Sequence, residues 1–253
     1  MSVRTFPTMG TVVSLRGADD ATAAEVRSVF AGYDHRYSLY DPSSVLSRVA
    51  DGALRLRDTP DQVRATYALA LEWRDRTHGA FTPHRSDGVV DLSGVVKAMA
   101  IRDAGTVLDA QGHDWMLGVG GDVLVRGQHE DQPWSVGIVD PADRQRVVAV
   151  VPLAAPRRAV ATSGTAERGE HIWSRAAPTF AQATVVADDI VTADVLATAI
   201  VAGDETDLAG FTADEDVDVI AFGADGRVWA TPGRATEALT APSTVRGSCP
   251  VRG

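Results

Sequence analysis

Asp194 and Thr198 stand four residues apart in an otherwise apolar run, VTADVLATAI. On a helix that spacing sets both oxygens on one face, with Val195, Leu196, Ala199 and Ile200 as the buried stripe. A carboxylate beside a hydroxyl is a hard, oxygen-only donor pair suited to Mg2+, which takes few protein ligands and completes its shell with water and substrate phosphate. A plainer reading stays open beside it: a helix-start acid favoured by the dipole and a threonine bonded back to a carbonyl. In AVATSGTAERGEHIW a strand ends at Thr162-Ser163-Gly164. The glycine lets a ligand approach the backbone, and amides there could cradle an anion. His171 follows, flanked by Glu170, Ile172 and Trp173, a setting for a general base or for a hydrogen-bonded structural imidazole. A Ser163/His171/Asp194 hydrolase triad is possible by residue type, but ATSGT lacks the Gly-x-Ser-x-Gly elbow.

The segment GVVDLSGVVKAM holds Lys97, the one lysine among 24 Lys and Arg residues. It is no Walker lysine, since Gly94 lies three residues before it and no Ser or Thr follows. GVGGDVLVRG likewise lacks the Gly-x-Gly-x-x-Gly spacing, and a strand follows it instead of a helix. That stretch reads as a tight turn between strands. The remaining histidines, His35, His78, His84, His113 and His129, show no metal-ligand spacing and read mostly as surface residues.

The elements that must position these groups follow from pattern. Val12–Arg16 reads as a strand, and the stretch from Asp19 to Tyr40 as a helix with Val26, Val29 and Phe30 on one face. Asp41-Pro42-Ser43-Ser44 is a turn and helix-start signal. Helices are expected over about 59–78, closed by Gly79, and over 93–111, ending near Gly112. FTPHRSDG reads as a loop. Short β-rich runs then succeed one another (WMLGVGG, DVLVRG, WSVGIVD, RVVAVVPL, RAVATSG, ATVVA), before the TADVLATAIVAG helix and strands at VDVIAF and RVWAT. Helices bunched early and strands consecutive later predict an α+β fold with a mainly antiparallel sheet and helices packed around it. The expected layout is one domain over 1–240 and a disordered tail over 241–253.

Composition narrows the function classes. A chain of 253 residues with 45% hydrophobic and 23% charged residues is an ordinary globular protein. A net charge of -10 argues against nonspecific nucleic-acid binding. A phosphate ligand would therefore need a metal, helix N-termini or a very local cation. The single cysteine, Cys249, permits neither an intramolecular disulfide nor a cysteine metal site. No apolar leader or membrane-length run is present, so the expectation is a cytoplasmic protein without membrane insertion.

Taken in order, these segments resemble the FAD:protein FMN transferase family, the ApbE-type flavin transferases. The match runs through Met9-Gly10-Thr11, Asp34, Ser38-Leu39-Tyr40, Ser44-Val45-Leu46-Ser47, Gly79-Ala80-Phe81 and Asp91-Leu92-Ser93-Gly94-Val95-Val96-Lys97. It continues through Gly120-Gly121-Asp122, Thr162-Ser163-Gly164, His171-Ile172, Ala193-Asp194 and Ala197-Thr198, and spans roughly residues 5 to 232.

The resemblance implies a Mg2+-dependent enzyme that moves FMN from FAD onto a threonine hydroxyl of an acceptor flavoprotein and releases AMP. It places Asp194, Thr198 and the Gly94 carbonyl on the metal. It places Met9, Tyr40, Ala80, Phe81, Thr82, Asp91, Lys97, Ser163, Gly164 and Ile172 around the cofactor, with Tyr40 able to stack on a flavin or adenine ring. His171 is the implied base for the acceptor threonine, and Asp194 its competitor. Lys97 offers a compact point charge on a slim stem, which enters a tight pocket where a planar guanidinium would clash. This chain departs from the family pattern at Thr82, Ser93, Ala98 and Gly118, and IWSRAAP replaces the usual turn after the histidine. Two alternatives follow from those departures: an FAD diphosphatase giving FMN and AMP, and a non-catalytic FAD-binding protein.

Overall fold

Val3–Thr8 (β1) and Thr11–Arg16 (β2) form an antiparallel hairpin whose last pair is Thr8 and Thr11. The pattern reading had only the second of these strands. In β1 just Phe6 is buried and Pro7 interrupts the run, so its sequence carries little of the alternation that marks a half-buried strand. The structure, a computed structural model, describes residues 3–165 and 178–232. His171, Ile172, Cys249 and the expected tail lie outside those residues. By its internal contacts the chain divides into two units, Met1–Gly120 and Gly121–Gly253.

In the first unit β2 pairs on its other side with Trp115–Val119 (β3), again antiparallel. Between them lie four helices: Asp20–Tyr37 (α1), Val45–Ala50 (α2), Asp61–Arg76 (α3) and Ser93–Asp109 (α4), with a 3-10 turn at Leu56–Asp58. The cap of α2 falls in the helix-start turn expected at 41–44. Asp19 accepts from the Thr22 amide to start α1, and Ser44 accepts from the Ser47 amide to start α2, each satisfying an orphan helix-end donor. Helix α1 packs against α4, α2 and β1. Its Phe30 meets Phe6 edge-on at 6.1 Å.

Two tyrosines of α1 tie the other long helices in place. The Tyr33 hydroxyl donates to Asp103 of α4 at 2.6 Å, and the Tyr37 hydroxyl shares a proton with Thr66 of α3 at 2.8 Å. Burial and the Asp103 carboxylate push the Tyr33 phenol well above its ordinary range. A raised folded-state value means this bond stabilises fully below the unfolded value of about 10 and fades only as pH rises through the folded one. Tyr33→Phe is therefore expected to lower stability by about 1–3 kcal/mol at neutral pH, read by denaturant melts. Its deficit should shrink in strong alkali. A constant deficit at every pH would assign the loss to packing.

In the second unit, Asp122–Arg126 (β4), Ala159–Gly164 (β8), Phe180–Ala187 (β9), Asp218–Gly223 (β10) and Val228–Ala230 (β11) lie in the order β4-β8-β9-β10-β11. A second sheet contains Gln128–His129 (β5), Gln132–Val139 (β6) and Val147–Leu153 (β7), with β6 in the middle. These pairings are antiparallel, and the fold is the α+β class that the pattern implied. Helix Ile190–Ala202 (α5) packs on β8 and β9. A second helix, Glu205–Asp214 (α6), follows it. The pattern reading passed over α6, although Asp204 and Asp207 form a capping box there, a signal legible as D-x-x-D before an apolar turn. Gly120 and Gly121, with φ of 55° and 95°, make the turn expected at GVGGD. Among the described residues no helix is long and apolar enough to cross a membrane.

Candidate functional site

Within the first unit the expected cofactor residues sit on two short turns, one constrained loop and the start of α4. Met9 and Gly10 form the β1–β2 turn, with φ of 45° and 72°. This two-residue geometry favours Asn, Asp or Gly at the first position. A methionine in the left-handed region costs roughly 1–2 kcal/mol, so its side chain is kept at that turn against a local preference.

Tyr40 lies on the 38–44 loop with 89% of its surface exposed. The loop is fixed from below by serines. Ser38 Oγ accepts from the Tyr40 and Asp41 amides, each at 3.2 Å. The buried Ser44 hydroxyl and the Ser47 hydroxyl both donate to the Ser38 carbonyl. Hydrogen bonds from the Ser43 hydroxyl and amide hold the Asp41 carboxyl below its ordinary range. A large aromatic ring left in water on such a rigid loop is suited to stacking on a planar ligand. Tyr40→Ala should weaken FAD binding about tenfold or more, since stacking of one base on an aromatic side chain contributes about 1–3 kcal/mol. Melting temperature should hold, and Tyr40→Trp should retain affinity in a fluorescence titration. An unchanged Kd for the alanine variant would remove Tyr40 from the site.

Phe81, Thr82 and Asp91 are brought together by a hairpin that the sequence showed only as a loop. His84 bridges Val90, the Arg85 amide donates to the Val89 carbonyl at 2.9 Å, and the Asp91 amide donates to Pro83 at 2.8 Å. Most of these histidines are exposed as expected, but His84 is half-buried, and its Nε2 lies 2.9 Å from the Tyr67 hydroxyl of α3, which ties the hairpin to that helix. Thr82 Oγ1 accepts from the His84 amide at 3.3 Å, a local turn bond that the family's acid would make equally well. Asp91 Oδ1 accepts from the Ser93 amide at 2.9 Å and so opens α4. Ser93 is exposed, so its departure from the family's glycine is sterically free. Gly94 differs: a Cβ there would stand 2.6 Å from Cε2 of the buried Phe81 ring. Ala80 precedes that ring on the same turn, and Lys97 lies three residues after Gly94 on the same face of α4.

In the second unit α5 carries the oxygen pair. The helix is buried almost all round, through Ile190, Val191, Val195, Leu196, Ile200 and Val201, as a helix apolar on every face must be. Asp194 is inside it at 0% exposure. Asp189 takes the helix-start role by accepting from the Thr192 amide at 2.9 Å, so the plain dipole reading of Asp194 no longer applies. Thr198 Oγ1 lies 3.1 Å from Ser163 Oγ at the end of β8. Thr198 and Ser163 are thereby brought together by α5 packing on one strand end, with Asp194 one turn earlier on the helix. A carboxylate taken out of water is sustained by donors or by a cation, and the hard donor pair Asp194–Thr198 fits Mg2+ by its chemistry. Among the described residues no three His, Cys, Asp or Glu side chains gather for a metal, so a cation here would rest on few protein oxygens.

One residue without an assigned role belongs beside this cluster. Asp122 is fully buried, and its Oδ1 accepts from the Thr162 amide at 3.3 Å. The signal was a lone acid opening an apolar strand, DVLVR. Thr162 itself faces the other side of the sheet and shares a proton with Thr184 at 2.9 Å.

Fold and site together define an α+β protein of antiparallel sheets whose buried helix sets an Asp-x-x-x-Thr oxygen pair against a Thr-Ser-Gly strand end. The ApbE family model matches residues 84–221, more than half of the sequence. The chain belongs to the ApbE family. It is similar in structure to the ApbE protein from Thermotoga maritima (TM-score 0.78, 18% identity, 93% of this chain and 98% of that one). It is also similar to the flavin transferase ApbE from Vibrio cholerae (TM-score 0.74, 21% identity, 93% and 98%). A third likeness is the apo form of the Pseudomonas stutzeri flavinyl transferase ApbE (TM-score 0.75, 17% identity, 94% and 98%). At these identities the likeness establishes the fold. No curated protein sequence matches the chain.

Proposed function

We propose that this protein transfers FMN from FAD to a threonine hydroxyl of an acceptor protein, releasing AMP in a Mg2+-dependent reaction. The observation that carries the reading is the buried Asp194 one helical turn from a Thr198 that is hydrogen-bonded to Ser163, in a chain of the ApbE family.

The chemistry balances without an oxidant or reductant. The threonine oxygen forms a bond to the FMN-side phosphorus, the diphosphate P–O–P bond breaks, and AMP carries away the bridging oxygen. The threonine proton passes to a base, the role given to His171. When bound, the cation neutralises diphosphate charge and makes the phosphorus more electrophilic. Asp194 and Thr198 would hold it through their side-chain oxygens. On a protein of net charge -10 such local neutralisation favours holding a diphosphate. Met9, Tyr40, Ala80–Thr82, Asp91 and Lys97 are assigned to FAD on the first unit. Gly164 contributes a backbone without a side chain beside Ser163, and Ile172 is assigned by the resemblance.

The test is incubation with FAD, Mg2+ and a polypeptide bearing the acceptor threonine. The expected products are AMP and a covalent, fluorescent flavoprotein that survives denaturing electrophoresis. AMP with free FMN and no covalent flavin would show a diphosphatase, with water in place of threonine. Tight FAD binding without AMP would show a flavin-binding protein.

A further inference from the structure

Resting on the metal reading of Asp194 and Thr198, we infer that Ser163 is a positioning residue for that site: it fixes the Thr198 hydroxyl so that its lone pairs face a cation. A hydroxyl has one proton and two lone pairs. To ligate a cation, Thr198 Oγ1 must send its proton elsewhere. Ser163 Oγ at 3.1 Å is an acceptor in reach. The competing partner is local. A helical threonine divides between two χ1 rotamers because its hydroxyl can bond back to the carbonyl four residues earlier, and four before Thr198 is Asp194. In that rotamer the hydroxyl is spent on the backbone of the very residue it should assist.

Ser163 can select the other rotamer because it is itself immobile. It is 1% exposed. Its strand pairs through Ser163 with Ala183 and through Gly164 with Gln182 of β9. On the other side of the same strand end, the Thr162 amide is taken by the buried Asp122 carboxylate. Successive residues on β8 alternate faces, so holding Thr162 on the buried Thr184 leaves Ser163 on the opposite face, against α5. The Gly-Gly-Asp and Thr-Ser-Gly segments, far apart in sequence, thus act in series on one hydroxyl. Partners that orient metal ligands in this way change metal affinity by about 10–100-fold when removed.

The experiment titrates Mn2+, read by electron paramagnetic resonance, into the full chain with and without FAD, for wild type, Ser163→Ala, Ser163→Thr and Asp194→Asn. Ser163→Ala should weaken Mn2+ about 10–100-fold in the titration without FAD. Turnover should fall at limiting metal and recover as metal is raised. Ser163→Thr, which keeps the hydroxyl, should stay closer to wild type than the alanine variant. Unchanged Mn2+ affinity in Ser163→Ala, or a loss confined to FAD affinity, overturns the inference and makes Ser163 a flavin contact or a packing residue. Wild-type Mn2+ affinity undiminished by Asp194→Asn overturns the metal reading as well, so the two failures are distinguishable.

Discussion

Asp194→Asn is expected to cut metal-dependent AMP release and covalent flavin formation by about 10³-fold or more while the protein still folds. The side chain is fully buried in α5, and the amide has nearly its volume, so packing against β8 and β9 is conserved. What changes is charge. A cation's stabilisation of developing phosphoryl charge amounts to several kcal/mol, and each 1.36 kcal/mol is about tenfold in rate. Removing the one anionic ligand proposed for it should therefore remove three or more decades. Product analysis at saturating FAD over a metal titration, with thermal melts alongside, checks both halves. Wild-type rates that still depend on metal would refute the assignment of Asp194.

Gly94→Ala is expected to lose both stability and FAD affinity, and Phe81→Leu to restore part of each. Two effects compete at this position. Alanine is the better helix former by about 0.5–1 kcal/mol, and α4 begins just one residue earlier. Against that, the new methyl would sit 2.6 Å from Phe81 Cε2 and 3.4 Å from Cζ. The ring is buried, and the Phe81 amide is anchored to Thr77 Oγ1 at 3.1 Å, so it cannot step aside. Overpacking of this kind costs about 1–3 kcal/mol, which exceeds the helix gain. The displaced ring belongs to the Ala80–Thr82 turn assigned to FAD, and a shift there should weaken binding on the order of tenfold. A double-mutant cycle by chemical denaturation should show Gly94→Ala and Phe81→Leu coupled by about 0.5–3 kcal/mol, the double variant losing less than the two singles together. Strict additivity would mean that the ring does not set the glycine.

The amino-acid sequence by itself determined the chemistry on offer and most of the elements. The Asp-x-x-x-Thr pair, Gly94 three before Lys97, and the Thr-Ser-Gly strand end are local patterns, and the helices α1, α3, α4 and α5 follow from periodicity and caps within a turn or so. Local patterns failed where local signals are weak. β1 buries only Phe6 as a sheet edge, and α6 announces itself by a capping box instead of a long apolar stripe. The loop FTPHRSDG became a hairpin because its bridge and its tie to Tyr67 are contacts between non-neighbours.

Only the tertiary structure decided what surrounds these residues within each unit. Burial on all sides of α5, with Asp189 as its cap, removed the helix-start account of Asp194. The Phe81 ring explained Gly94, and the serine network showed how the loop carrying the exposed Tyr40 is held. The physical reason is common to all three. Residue type and spacing fix what a side chain can donate or accept, but burial and hydrogen-bond partners depend on strands and helices brought together from distant parts of the chain. Ser163 met Thr198, 35 residues on, only when α5 folded back over β8.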